Sequence, residues 1–244
     1  MSKTIVEWIE YLNAVIRDAE TYCVLTRACG LQREAIGRLA ELMRQCAALK
    51  VEAIGAQDED FANLLLGFEC VVDCLSNELA MWIALKEEKP DAAWDNLVAA
   101  QMAASGAARA HRGFSHLDHQ AERLDSIEKL VFPPQVFVSA GLIVGRQECS
   151  ICGGEYGECD HLIGKAYWGK FCHIVAKDIE ANHVALVKDP ADKRCRVTQF
   201  SAGDGYRNRM TWEIEPSVVA HSDAERAGEN GGLHVTARLL RTAS

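Results

Sequence analysis

Cys149-Ser150-Ile151-Cys152-Gly153-Gly154-Glu155-Tyr156-Gly157-Glu158-Cys159-Asp160-His161 is the segment on which the reading of this chain turns. Four soft or borderline metal donors fall within thirteen residues, at the spacing C-x2-C-x6-C-x-H. Gly153 and Gly154 let the backbone turn back after the first pair, because glycine accepts a positive φ without a Cβ clash. The pattern is that of a zinc knuckle, in which amides just past the first cysteine point at its sulfur. A closed set of three cysteines and one histidine leaves no open coordination position, which predicts a structural rather than a catalytic Zn2+. Thiolate-rich tetrahedral sites suit zinc before other metals. The expected ligands are Cys149, Cys152, Cys159 and His161. The short Cys159-x-His161 step puts two donors on one side of an extended segment. Cys172 and His173 are the nearby competitors, and Cys172 follows a glycine-bounded turn that can fold it back in place of the histidine.

Upstream of the knuckle, Phe132-Pro133-Pro134 marks a change of character. Two prolines block a helix and push the preceding residue towards extended structure. Before them the apolar residues recur at helical spacing. Ile5, Trp8, Ile9, Leu12, Val15 and Ile16 form one stripe, and Ala35, Ile36, Leu39, Leu42 and Met43 another. The longest begins at the acids Asp58-Glu59-Asp60, which suit a helix N-terminus, and runs from Phe61 to Ile83. Pro90 opens a further helix that becomes alanine-rich from Ala103 to Ala110, and a last one spans about 116–131. With almost no β-type run in this half, the expectation is an antiparallel bundle of about five helices over 1–132.

After the prolines come short β-type runs: Val136–Val138, Leu142–Val144, a hairpin near Gly164–Gly169 with an aromatic lid over the metal, and a buried-strand candidate at Val184–Val187. The fold class predicted is therefore α+β. It comprises a helical bundle (1–132), a zinc-stabilised β-rich module (133–215) and a flexible tail (216–244), in which 235–240 can form a short helix.

Composition narrows the function. The chain has 244 residues, 10 cysteines and a net charge of −9, of which −8 falls on 1–132. An acidic helical half is a poor non-specific binder of nucleic acid. A modest basic group, Lys193, Arg194, Arg196, Arg207 and Arg209, is the only nucleic-acid candidate. No apolar run approaches a membrane span and the N-terminus lacks a signal peptide's pattern, so a cytoplasmic protein without membrane contact is expected. In a reducing compartment, metal binding explains the cysteine cluster better than disulfides do. Cys23, Cys46, Cys70 and Cys74 lie on helical patterns and read as small core hydrophobes.

Two partial resemblances bear on chemistry. Ser139-Ala140-Gly141-Leu142, His183-Val184-Ala185-Leu186-Val187, Pro190-Ala191-Asp192 and Arg196-Val197 fall in an order similar to the C-terminal half of the phage prohead (head-maturation) protease family. The resemblance implies Ser139 as a nucleophile and places His183 where that family carries an orienting glutamate. Arg109 and His116 have the six-residue spacing of the motif in HEPN-type ribonucleases, helical bundles that pair such residues across a dimer. Neither a nucleotide-binding loop nor a paired-carboxylate motif is present. The reading favoured is a non-enzymatic zinc-binding accessory subunit of a phage-related assembly, with protein partners in a homo- or hetero-oligomer. A serine protease through Ser139 and a ribonuclease through Arg109 and His116 are the alternatives.

Overall fold

The structure, a computed structural model, describes residues 4–202, 205–216 and 235–239. It is α+β as expected: five helices followed by small antiparallel sheets. The helices are α1 (Ile5–Glu20), α2 (Cys29–Gly55), α3 (Glu59–Lys86), α4 (Pro90–Ala110) and α5 (Asp118–Val131), with a 3-10 turn at Arg112–Leu117. The strands are β1 (Phe137–Cys149), β2 (Ala166–Tyr167), β3 (Lys170–Phe171), β4 (Ile174–Val187), β5 (Val197–Ala202), β6 (Gly205–Asn208), β7 (Ile214–Pro216) and β8 (Val235–Ala237).

Helix boundaries follow local chemistry. Thr4 caps α1 through a reciprocal capping box with Glu7, which satisfies two of the amide donors that a helix start leaves unpaired. The Asp58 carboxylate accepts from Phe61 N at 3.0 Å and starts α3. Pro90 stands in the first turn of α4, where its missing N–H costs nothing. Helix α3 lies at the centre and packs on both α2 and α4. Leu39 and Leu42 of α2, Leu65, Leu75 and Leu79 of α3, and Trp94 and Leu97 of α4 are almost wholly excluded from solvent. Each such leucine contributes about 1.5–3 kcal/mol of burial. The small residues of α4 (Ala100, Ala103, Ala104, Ala107) are buried too, and allow close approach to α3.

One close approach has a testable cost. The Phe114 ring, carried by the 3-10 turn, lies flat over Gly67 of α3 and meets Phe68 edge-to-face at 5.0 Å. A Cβ on Gly67 would stand 2.1 Å from Phe114 Cε2. Gly67→Ala should therefore destabilise by about 1–3 kcal/mol through overpacking, despite alanine's better helix propensity. The urea midpoint should fall, and pairing the change with Phe114→Leu should restore most of it. An unchanged midpoint in the single variant would mean that the ring shifts freely.

The chain divides into two compact units, Met1–Glu128 with Val144–Ile179, and Lys129–Ile143 with Glu180–Ser244. This differs from the boundary expected at the prolines. The metal-donor segment packs with the helices, through apolar contacts described below. In the second unit, β5 is flanked by β6 and β8, with β7 outside β6, all antiparallel. Arg196 is buried there beside Gln135, and Val138 N donates to Cys195 O at 3.0 Å.

Three strand expectations need correction. Phe137–Val138 and Leu142–Val144 are parts of a single thirteen-residue strand, β1, because nothing in Ser139-Ala140-Gly141 forces a turn; Val136 lies just before it. Val184–Val187 is not buried: it ends β4, which among the described residues pairs only with β1, and Val184 and Leu186 are exposed. Val235–Ala237 is a strand on β5 rather than a helix, because β5 offers it backbone partners. The remainder of the expected tail, 217–234 and 240–244, lies outside the described residues.

Candidate metal centre

The donors of Cys149, Cys152, Cys159 and His161 lie within 4.8 Å of one another. The expected ligand set thus converges on one point. Its geometry follows from a turn at the end of β1. Cys149 N donates to Gly154 O and Gly153 N to Cys149 O, both at 2.8 Å, closing a tight loop around the first cysteine. Gly153 has φ +74°, the left-handed region that an L side chain resists. The loop aims the amides of Cys152 and Ile151 at Cys149 Sγ, and they pull that thiol down to about 6. Ile151 N stands 3.4 Å from the sulfur.

The second half of the centre is built differently. The His161 amide points at Cys159 Sγ and favours its thiolate, but burial and the neighbouring Cys149 and Cys152 sulfurs outweigh it and raise the Cys159 thiol. The His161 ring meets Tyr167 edge-on at 4.8 Å, and its Nδ1 is buried with no partner. Tyr167 belongs to the hairpin for which the sequence suggests an aromatic lid, and its hydroxyl accepts from Leu162 N at 3.1 Å. A fifth donor stands here as well. Cys172, buried just beyond β3, places its Sγ 3.8 Å from Cys149 Sγ. Burial and then the Cys149 sulfur raise its thiol.

The hairpin β2–β3 anchors this centre to the helices. Ala166 and Phe171 pack with Leu66 and Cys70 of α3 and Ala110 of α4. Trp168 N donates to Glu59 Oε1 at 3.2 Å, and Gly169 N to Asn63 Oδ1 at 2.8 Å. Gly169 has φ +71°, and a Cβ there would stand 2.7 Å from Lys50 Cδ. Only glycine fits this turn against α2 and α3. The sequence reading missed these anchors, whose one signal is the strand-like Phe171 preceding Cys172.

The other cysteines behave as core. Burial pushes the Cys46 and Cys74 thiols up to about 12 and Cys70 to about 11, so all three stay protonated and inert. Cys23 is also buried and raised by burial, but it lies in the turn after α1 rather than within a helix.

The remaining candidate residues lie elsewhere. Ser139 on β1 is partly buried, and the exposed His183 ring on β4 lies against Gly141, two positions along from the serine. Among the described residues no hydrogen bond joins Ser139 to His183. Arg109 ends α4 with its guanidinium over the Phe171 ring, 5.5 Å from the centroid, and its Nε donates to Ser105 O. His116 belongs to the 3-10 turn. In that segment the ring held in place is His111, whose Nδ1 accepts from Gly113 N and whose Nε2 lies 3.4 Å from Asp60.

Most of the basic group makes internal contacts. Arg194 pairs with Asp192, Arg207 lies over the Trp212 ring, Arg209 donates to Pro134 O at 2.7 Å and Arg196 is buried. Among the described residues no helix is long and apolar enough to cross a membrane. No protein-family model, characterised protein or solved structure matches the chain.

Proposed function

We propose that this chain is a zinc-stabilised binding module that engages another protein within a larger assembly. The observation that carries the metal half is the convergence of Cys149, Cys152, Cys159 and His161 within 4.8 Å. Three thiolates with a fourth donor saturate a tetrahedral ion, so no position remains for a reactive water. Zinc here fixes shape rather than performing chemistry. It holds the end of β1 and the β2–β3 hairpin together where local apolar area is too small to do so.

The binding half is supported by the β1–β4 ribbon. Leu142, Ile143, Val184 and Leu186 are 46–70% exposed on strands that, among the described residues, form a two-stranded sheet. Exposed aliphatic side chains on one ribbon suit a protein partner. The phage-related character of that assembly rests on the resemblance of 139–197 to the head-maturation proteases.

Purification of the full chain from its native host tests both halves. Elemental analysis should find about one zinc per chain. A partner retained by the native protein should be lost from an Ile143→Glu/Leu186→Glu variant that keeps its zinc and its helical circular dichroism. Equal retention by both proteins would remove the ribbon from the reading. Labelling of Ser139 by a fluorophosphonate probe would replace binding by hydrolysis as the function.

A further inference from the structure

The centre gathers five donors, one more than a tetrahedral ion takes. Resting on the zinc reading above, we propose that the fourth ligand is Cys172. The centre is then a four-thiolate site of Cys149, Cys152, Cys159 and Cys172, with His161 beside it as a hydrogen-bond donor to the thiolates.

The first support is distance. Thiolates about 2.3 Å from a tetrahedral zinc stand about 3.8 Å apart. Cys149 Sγ and Cys172 Sγ are 3.8 Å apart.

The second support is the way Cys172 is held. It is 1% exposed, and both of its backbone groups are fixed: Cys172 N donates to Lys165 O at 2.9 Å and Gly164 N to Cys172 O at 2.8 Å. The next residue is tied to the knuckle itself. His173 N donates to Ser150 Oγ at 2.9 Å, and Ser150 N donates to His173 O at 3.0 Å. This bracket sets the thiol against Cys149.

The third support is the place left for His161. With Cys172 as the fourth ligand its ring lies outside the ion's own shell. The orphaned Nδ1 then gains a partner, since an N–H there can donate to a metal-bound thiolate. Four thiolates on Zn2+ carry a net charge of −2, and such a donor offsets part of it.

X-ray absorption at the zinc edge of the full-length protein decides the matter. Four sulfurs at about 2.3 Å with no nitrogen shell are expected, whereas three sulfurs and one nitrogen at about 2.0–2.1 Å would overturn the proposal and leave the zinc reading intact. Absence of zinc would overturn both. Chelator competition on variants gives an independent readout. His161→Ala should weaken zinc by about 10–100-fold, as loss of an outer hydrogen bond does, and Cys172→Ala by more than that. The reverse order, or equal losses, would return His161 to the metal.

Discussion

Removal of zinc should abolish the order of about 145–175 and leave the helical circular-dichroism signal nearly unchanged. The knuckle loop is polar and glycine-rich, with Cys152, Gly153, Gly154, Glu155, Gly157 and Glu158 partly or wholly exposed. Structural zinc in finger-sized peptides supplies about 10–16 kcal/mol of folding free energy at neutral pH, and little else here can replace it. The helices do not share this dependence. Leu39 and Leu79 belong to one core cluster and Leu65 to another with Ala53 and Ala62, and neither cluster includes a residue of the metal segment. Hydrogen exchange should therefore show lost protection across 145–175, with a smaller loss on α3 and α4 where Leu66 and Ala110 meet Ala166 and Phe171. Collapse of the whole helical signal would instead show that Met1–Glu128 and Val144–Ile179 unfold as one cooperative unit.

The same experiment has a pH axis with a definite sign. In the folded knuckle the Cys152 and Ile151 amides lower the Cys149 thiol to about 6, which favours its thiolate at neutral pH. The stability it contributes is present above the ordinary thiol value near 8.5 and lost as pH falls through about 6. Cys159 and Cys172 are shifted upward, so the folded geometry favours their protonated forms and loses that contribution as pH rises. Zinc must displace those protons to bind. Its affinity should rise from pH 6 to pH 8, measured by chelator competition. A flat profile would mean that the thiols are already ionised without metal.

The donor set was legible because four chemically distinctive residues fall close together in sequence, and the bundle because helical periodicity is a local property. Thr4 with Glu7, Asp58 and Pro90 also announce their helix starts locally. What the sequence hid depends on contacts between distant residues. Ala166 and Phe171 pack on Leu66 and Ala110 through very little area, and an alanine gives no hint of such a role. Val184 and Leu186 have the pattern of a buried strand, yet among the described residues β4 pairs only with β1, and both are exposed. The bracket made by Ser150 and His173 beside Cys172 was hidden too, since a chain distance of more than twenty residues says nothing about it.

Glu78 is the buried charge whose loss of a partner should cost most. It sits on the inward face of α3 and is wholly excluded from solvent. Its carboxylate accepts from Trp82 Nε1 at 3.3 Å, from Gln120 Nε2 at 3.1 Å and from the Arg123 guanidinium of α5. A carboxylate out of water is tolerable only when charge and hydrogen bonds both compensate it. The two ends of the pair are unequal, because the Arg123 side chain is 40% exposed and Glu78 is not exposed at all. Glu78→Gln leaves an arginine that can turn to water and keeps most of the hydrogen bonds. Arg123→Met leaves a buried carboxylate with two neutral donors. The expected cost of Arg123→Met is about 2–3 kcal/mol, below the ~3–5 kcal/mol of a pair buried on both sides because solvent screens the guanidinium. Glu78→Gln should cost clearly less. Replacing both by leucine should recover stability to near the parent, since it removes the buried charge together with its need for a partner. Urea denaturation of the three variants measures the order. A larger loss from Glu78→Gln than from Arg123→Met would mean that Glu78 matters for its three hydrogen bonds rather than for its charge.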